Sequence, residues 1–102
     1  MKIHLIQGID RRIDFEELAR MHNLSMDELL TELESIVKSG MKINIDYVLN
    51  EIFDEETEQE IMDFIRTLDE DDLDSAIEEF GDEFTEEEIR LARIKFLSEM
   101  GN

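Results

Sequence analysis

The stretch that decides the fold, residues 13–40, reads IDFEELARMHNLSMDELLTELESIVKSG. Apolar side chains recur in it at the i, i+3, i+4, i+7 spacing of an amphipathic helix, and a break at residues 23–25 interrupts them. The pattern predicts two amphipathic helices joined by a tight turn, which is a helix-turn-helix. The apolar positions are Phe15, Leu18, Ala19 and His22 in the first helix, and Met26, Leu29, Leu30, Leu33, Ile36 and Val37 in the second.

The residues at the helix ends support these boundaries. In a capping box, the first side chain accepts a hydrogen bond from a backbone N–H, and a glutamate three residues later accepts one from the first residue's own N–H. Two pairs have this spacing: Asp14 with Glu17, and Ser25 with Glu28. Asn23 tolerates the left-handed backbone conformation that ends many helices, so we expect it to end the first helix of the motif.

Residues 2–10, KIHLIQGID, place Ile3, Ile6 and Ile9 at helical spacing and predict a short helix before the motif. Two helices cannot bury both of their apolar stripes against each other alone. This additional helix therefore completes the three-helix core that a helix-turn-helix requires.

The segment after Gly40, which we expect to end the second helix of the motif, has two interpretations. Apolar and polar residues alternate in residues 41–46, which favours a short extended segment that forms one side of a wing. Alternatively, Asn44 or Asp46 caps a helix over residues 47–53.

The C-terminal half carries three further helical patterns. Residues 54–68 predict a helix whose acidic first turn suits the positive end of the helix dipole. After a turn and cap at residues 69–72, a second pattern ends at Gly81. A third capping box, Thr85 with Glu88, opens a last helix that is apolar over a wide arc and is expected to be central to packing.

The fold class predicted from these patterns is all-α or nearly so. Residues 1–45 are predicted to form a helix-turn-helix or winged-helix-like subdomain. Residues 46–102 are predicted to form an acidic bundle of three to four helices. No linker rich in glycine or serine separates the halves, so we expect them to pack as one unit.

Charge is the most unusual feature of the composition. The chain has 29 acidic and 10 basic residues, a formal net charge of −19. Residues 1–50 carry 9 acidic and 6 basic residues, net −3, so residues 51–102 carry the other 20 and 4, net −16. Such a field repels phosphate backbones and disfavours non-specific nucleic-acid binding. It favours a solvated surface, a surface for a basic partner, or a mimic of DNA.

The rest of the composition excludes several classes of protein. The chain has no cysteine, so it has neither disulfides nor thiolate metal sites. No apolar run is long enough to span a bilayer, and the N-terminal residues are too short and too polar for a signal peptide. We expect a protein of the cytoplasm.

No pattern in the chain predicts catalysis or a cofactor. It lacks a Gly-rich phosphate loop, and its serines have no partner pattern of histidine and aspartate. The acidic runs at residues 54–60 and 69–74 lack the spacing and the glycine of a calcium-binding loop. We therefore expect no enzymatic activity, no cofactor and no metal in this chain.

The remaining class of function is binding, and basic residues occur in three places. The first two are candidates for contacting nucleic acid: Arg11, Arg12 and Arg20 around the first helices, and Lys38 and Lys42 around the segment that follows the motif. The third, Arg90, Arg93 and Lys95 in the last helix, is a candidate strip that faces a partner. The alternative for Arg90 and Arg93 is pairing with acidic helices of the same chain, including Glu86 one turn earlier.

The second helix of a helix-turn-helix normally reads bases in the major groove. Here its outward positions are expected to be Asp27, Glu28, Thr31, Glu32, Glu34, Ser35 and Lys38. Four acids against one base would repel phosphate. Contact with DNA is therefore expected at the flanks of the motif.

Three segments together resemble a known family: FEELARMHNLSMDELLTELESIVKSG at residues 15–40, KINIDYVLNEIFDEE at residues 42–56 and GDEFTEEEIRLARIKFLSEMGN at residues 81–102. They resemble the extreme C-terminus of RecQ helicases with the Bacteroidetes-type architecture. In that architecture an additional helix-turn-helix module follows the ATPase lobes, the zinc and winged-helix region and the HRDC domain. The resemblance covers nearly the whole chain, and the last segment is its most specific part.

The resemblance implies an accessory module of an ATP-dependent 3′–5′ DNA helicase that acts in repair and recombination. ATP, Mg²⁺ and Zn²⁺ would belong to the parent alone, because its nucleotide and zinc residues lie outside this sequence. The implied partners are the other domains of the parent and, weakly, DNA, near a bacterial nucleoid. A basic protein surface is the alternative partner, and no membrane is expected. The resemblance also implies that Asn102 is the natural end of the chain.

Overall fold

The computed structural model describes residues 2–69 and 72–100, and in these ranges the only regular elements are α-helices. The predicted all-α class is confirmed. The turn predicted at residues 69–72 lies partly outside the described residues. In chain order the helices are α1 Lys2–Asp10, α2 Phe15–Met21, α3 Met26–Lys38, α4 Asp46–Ile52, α5 Glu55–Arg66, α6 Leu73–Phe80 and α7 Glu86–Met100.

The helix-turn-helix forms from α2 and α3, with α1 packed against them. A Cβ atom on Gly8 would lie 2.5 Å from Leu18 Cδ1, a side chain that is fully buried. Glycine therefore lets α1 approach α2 closely, which explains a residue that disfavours a helix by about 1 kcal/mol relative to alanine. The apolar faces of the three helices then share one core.

Helices α1 and α2 both end in a Schellman motif, in which a residue in the left-handed conformation lets two N–H groups bond back to helix carbonyls. Asn23, with φ 57°, occupies that position after α2, as predicted. After α1 the position belongs to Arg12, with φ 59°. The N–H of Arg12 donates to the carbonyl of Ile9 at 2.9 Å, and that of Ile13 to Gly8 at 3.0 Å. The sequence did not predict this, because arginine rarely adopts that conformation.

Two of the three predicted capping boxes form. At α3, the N–H of Glu28 donates to Ser25 Oγ at 3.1 Å, and the N–H of Ser25 donates to Glu28 Oε1 at 2.8 Å. Thr85 and Glu88 make the same pair of bonds before α7. The box predicted for Asp14 and Glu17 is wrong.

In the pair that fails, the Asp14 side chain makes no cap hydrogen bond, and the Glu17 carboxylate instead pairs with Arg20 at 2.8 Å. Glu17 points forward along α2 to a cation one turn later, so it cannot reach back to residue 14.

The wing does not form in the described residues, and the alternative helix, α4, does. Asn44 Oδ1 accepts from the N–H of Asp46 at 3.0 Å and starts the turn into α4. The preceding segment lies against α7, where Ser98 Oγ accepts from the N–H of Ile43 and donates to its carbonyl, both at 2.9 Å. A buried hydroxyl thus satisfies backbone groups that a partner strand would otherwise satisfy.

Helix α7 lies at the centre of the molecule and packs against α3, α4, α5 and α6. Ile89, Ala92 and Ile94 are fully buried on it, and the buried core continues through both halves of the sequence. Each fully buried large aliphatic side chain stabilises the fold by about 1.5–3 kcal/mol. Two edge-to-face aromatic pairs add to this packing: Phe53 at the end of α4 contacts Phe84 in the turn before α7, and Phe64 on α5 contacts Phe80 on α6.

Candidate nucleic-acid interface

One flank of α3, the helix expected to read DNA, is occupied by α7. Arg90 Nη1 donates to Asp27 Oδ1 at 2.6 Å, and its Nη2 donates to Glu34 Oε1 at 2.7 Å and to Thr31 Oγ1 at 3.2 Å. Asp27, Thr31 and Glu34 form one stripe along α3, spaced four and three residues apart. A single guanidinium therefore binds side chains at three of the positions expected to face outward, of which Asp27 and Thr31 stay exposed.

The Arg90–Glu34 part of this contact is sheltered from solvent, whereas the side chain of Asp27 is 79% exposed. The side chain of Arg90 is 10% exposed and that of Glu34 is 14% exposed. Burial opposes the charged guanidinium, but the hydrogen bonds and charges of Glu34 and Asp27 outweigh it and raise the pKa of Arg90. Arg93 Nη1 also lies 3.5 Å from Glu34 Oε2. The carboxylate of Glu34 is thus held between two cations of α7.

Lys95, the third basic residue of α7, connects three acidic side chains. Its Nζ lies 2.8 Å from Asp46 Oδ1 on α4, 2.5 Å from Glu58 Oε1 on α5 and 3.9 Å from Glu99 Oε1. Burial disfavours the ammonium, but hydrogen bonds and charges from Asp46 and Glu58 raise the pKa of Lys95. This network gives the buried carboxyl group of Glu58 a cationic partner.

The structure therefore places Arg90, Arg93 and Lys95 in ion pairs within the chain. For Arg90 and Arg93 this is the alternative pairing, with carboxylates of α3 as partners. The sequence suggested Glu86 because it lies one turn away, whereas residues 27 and 34 come close only when α7 packs on α3.

The same contacts weaken the argument that α3 repels phosphate. Two of its four outward acids, Asp27 and Glu34, share the single positive charge of Arg90, and Glu28 caps the helix. The obstacle to reading DNA with α3 is therefore partly the remaining negative charge and partly steric, because α7 lies along one flank of the helix.

The five basic residues predicted to contact nucleic acid are all exposed, but they do not form one cluster. Arg12 and Lys42 border two adjoining hollows that share Asp10, Asn44 and Asp46. Arg11 directly precedes Arg12 in the same turn.

The other two predicted residues lie elsewhere. Arg20 is paired with Glu17 on α2, and Lys38 borders a separate cavity between α3 and the C-terminal helices. Of the five predicted residues, the structure brings Arg11, Arg12 and Lys42 nearest to a common surface.

Tyr47, which the sequence did not mark as a candidate, holds in place the turn that carries Arg11 and Arg12. Its hydroxyl donates to the carbonyl of Ile13 at 2.6 Å, and its ring packs edge-to-face on Phe15. Burial, with a smaller effect of the Asp14 charge, raises the pKa of Tyr47 to about 12. No sequence signal predicts this contact, because 34 residues separate its partners.

An acidic surface lies on α5. Glu55, Glu56, Glu60 and Asp63 are exposed there around a shallow hollow that Gln59 also borders.

In the described ranges, no helix is both long and apolar enough to cross a membrane.

The fold and these surfaces define a helix-turn-helix domain joined to an acidic helical half. Residues 1–49 match the family model described as "RecQ-1-like, helix-turn-helix domain". This match confirms the predicted resemblance to the helix-turn-helix module of RecQ-type helicases over these residues. The Bacteroidetes-type architecture stays a prediction. No curated protein matches the chain.

Proposed function

We propose that this chain is a non-catalytic accessory module of a RecQ-like, ATP-dependent DNA helicase and that it contacts DNA weakly beside its helix-turn-helix. The family match over residues 1–49 supports the first part. The observation that carries the second is the exposed pair Arg11 and Arg12 in the turn that precedes the motif. Lys42 extends this surface, which we name the flank surface: Arg11, Arg12 and Lys42.

Helix α3 is not the reading element in this proposal. A recognition helix has to enter the major groove with one face free, and α7 lies along α3 through Arg90. Phosphate contacts need no groove insertion, because they act on the outside of the duplex or on a single strand. The module would thus add affinity and position the parent without specifying sequence.

The chemistry of unwinding would belong to the parent. ATP, Mg²⁺ and Zn²⁺ are expected in its other domains, and this chain would bind none of them. Its direct partners would be those domains and DNA in the bacterial cytoplasm, in the processes of repair and recombination.

The test is a fluorescence-anisotropy titration of the whole chain with single- and double-stranded DNA at several low salt concentrations. Each lost phosphate contact should reduce the slope of log K against log salt by about 0.7 for single strands and about 0.9 for duplex. We expect such a reduction for Arg11→Ala, Arg12→Gly and Lys42→Ala. The glycine at position 12 removes the charge and retains the left-handed turn.

The matched control is Arg66→Ala, which removes an exposed arginine that is paired with Asp63 on α5. It should leave the slope unchanged. Absence of DNA binding at low salt would overturn the DNA-contacting role. An equal effect of Arg66→Ala would show that the chain responds to total charge and not to the flank surface.

The acidic surface of α5 favours a second candidate function, in which the module binds a basic surface of the parent or of another protein. Opposite charges would accelerate such an encounter and set its orientation. A DNA mimic is a special case of this candidate. It requires that the chain compete with DNA for a basic DNA-binding protein, and failure to compete removes it.

A further inference from the structure

One cavity of about 310 Å³ opens between the C-terminal end of α3 and helices α5, α6 and α7. Its walls are mostly apolar, and Leu68, Leu73, Phe96 and Leu97 are only half-buried there. Met100, at the edge of the cavity, is 62% exposed. The volume lies at the lower end of the range for ligand pockets, which suits one or two apolar side chains.

The rim of this cavity is charged. Asp69 and Asp72 border one side, where α5 ends and α6 begins. Arg93 also borders it, but its guanidinium lies next to Glu34. Lys38 stands at the α3 end. Most of the lining residues belong to residues 51–102, which carry a net charge of −16, so the wider surroundings of the cavity favour a cationic ligand.

We propose that this cavity docks a basic amphipathic segment of a partner protein. One or two of the segment's apolar side chains would enter between α6 and α7, and its lysines or arginines would lie against Asp69 and Asp72. This is the helix-in-groove mode of recognition, in which apolar anchors supply affinity and flanking charges fix orientation. The inference rests on the second candidate function, for which it names a site and the chemistry of the partner.

The charge pattern selects this occupant over a plain apolar ligand. Asp69 is exposed and Asp72 half-buried at the rim, so a ligand that enters the cavity can reach both carboxylates. Asp72 accepts from the N–H and the hydroxyl of Ser75 as the cap of α6, which fixes its carboxylate at the rim. A lysine or arginine of the partner would therefore bind a carboxylate, that of Asp72, whose position is already fixed.

The experiment titrates the whole chain, labelled at its methionine methyl groups, with a short helical peptide of leucines and lysines. A peptide of the same pattern with glutamate in place of lysine is the control ligand. We expect the lysine peptide to cause a saturable shift of the Met100 methyl resonance and the glutamate peptide to cause none. Met21, which is 56% exposed on α2, should not shift.

Paired variants locate the site. Met100→Glu should weaken peptide binding by about tenfold or more, the size expected for losing a buried methionine contact. Met21→Glu, the same substitution on α2, should not weaken it. Asp69→Asn and Asp72→Asn should each weaken it by roughly two- to fivefold, as for exposed ion pairs. Asparagine at position 72 still caps α6, and Asp82→Asn serves as the charge control.

The outcomes separate the site from the function. Binding of the lysine peptide that Met100→Glu leaves unchanged would overturn the cavity as the site but keep the interaction function. If neither peptide binds, both the cavity as a docking site and the interaction function are overturned. A concentration-dependent Met100 shift without peptide, accompanied by dimers in sedimentation, would show that a second copy fills the cavity and would overturn the proposal.

Discussion

Arg12 occupies a backbone conformation that costs an ordinary side chain roughly 1–2 kcal/mol, because its Cβ crowds the neighbouring carbonyl. Its φ of 59° closes α1 and turns the chain into the helix-turn-helix. Asn23 and Gly40 hold the corresponding positions after α2 and α3 and are suited to them. A strained residue at an exposed turn is consistent with a role for its side chain outside the fold.

Arg12→Gly is expected to stabilise the protein by roughly 0.5–1 kcal/mol, since relief of strain exceeds the added entropy of the unfolded chain. The measurement is the free energy of unfolding in urea. Arg11→Gly is the control, because Arg11 does not have a positive φ and glycine there should destabilise. Destabilisation by Arg12→Gly would mean that contacts of the arginine side chain outweigh its backbone strain.

Tyr47 provides a pH-dependent measurement at a single residue, because the chain has one tyrosine and no tryptophan. Its pKa is raised from 10.0 to about 12, so the neutral phenol is favoured in the folded state. This contribution to stability is complete below pH 10 and is lost as the pH rises through about 12. Phenolate absorbance should titrate near pH 12 in the native protein and near 10 in denaturant.

Asp14→Asn should lower the native midpoint of this titration, because the Asp14 charge adds to the effect of burial. A native midpoint near 10 would show that the phenol is open to solvent.

At the scale of elements, the three predicted capping boxes have the same sequence spacing, but only those at Ser25 and Thr85 form their hydrogen bonds. Ser25→Ala and Thr85→Ala should each destabilise the protein by about 1 kcal/mol, because each removes an acceptor for a helix N–H. Asp14→Ala should change stability by less than about 0.5 kcal/mol, since its side chain makes no cap bond. Urea unfolding of the three variants measures this ranking. Equal losses at all three positions would contradict it.

The contact of α3 with α7 is the other feature at this scale. A double-mutant cycle of Arg90→Met and Glu34→Gln should give a coupling free energy of roughly 1–3 kcal/mol, because the pair is sheltered and hydrogen-bonded. The exposed pair of Arg66 and Asp63 should give less than about 1 kcal/mol. If the two couplings were equal, burial would add nothing to the pair on α3.

At the scale of the molecule, the division into two subdomains at residue 45 stays a prediction. The cooperativity of unfolding tests whether the two parts form one unit. One cluster of buried residues includes Leu5 and Leu33 from the first half and Ile61 and Ile94 from the second. We therefore expect one unfolding transition, with circular dichroism and the methyl resonances of Met21 and Met62 changing together. Residues 1–49 alone should not fold stably, because α7 would no longer cover α3. Two separate transitions would contradict a single unit.

The sequence predicted much of this molecule where the relevant signal is local. Apolar spacing located six of the helices of the described residues to within a few residues and gave α4 as the alternative to a wing, and Ser25 and Thr85 marked two helix starts correctly. The failures have a common cause. Glu17 found a nearer partner in Arg20, and the alternation in residues 41–46 reflects docking on Ser98 instead of strand pairing. Spacing alone does not identify which of several available partners a side chain chooses.

The sequence by itself determined the helices, the helix-turn-helix and the acidic C-terminal half, because helical periodicity, caps and charge are read within one or two turns. Only the tertiary structure decided which side chains of α3 contact α7. Arg90 and Glu34 are separated by 56 residues, and they meet because α7 packs its apolar face on α3. That packing shelters Glu34 on one flank of the helix, while Arg11 and Arg12 stay exposed in the turn that precedes the motif.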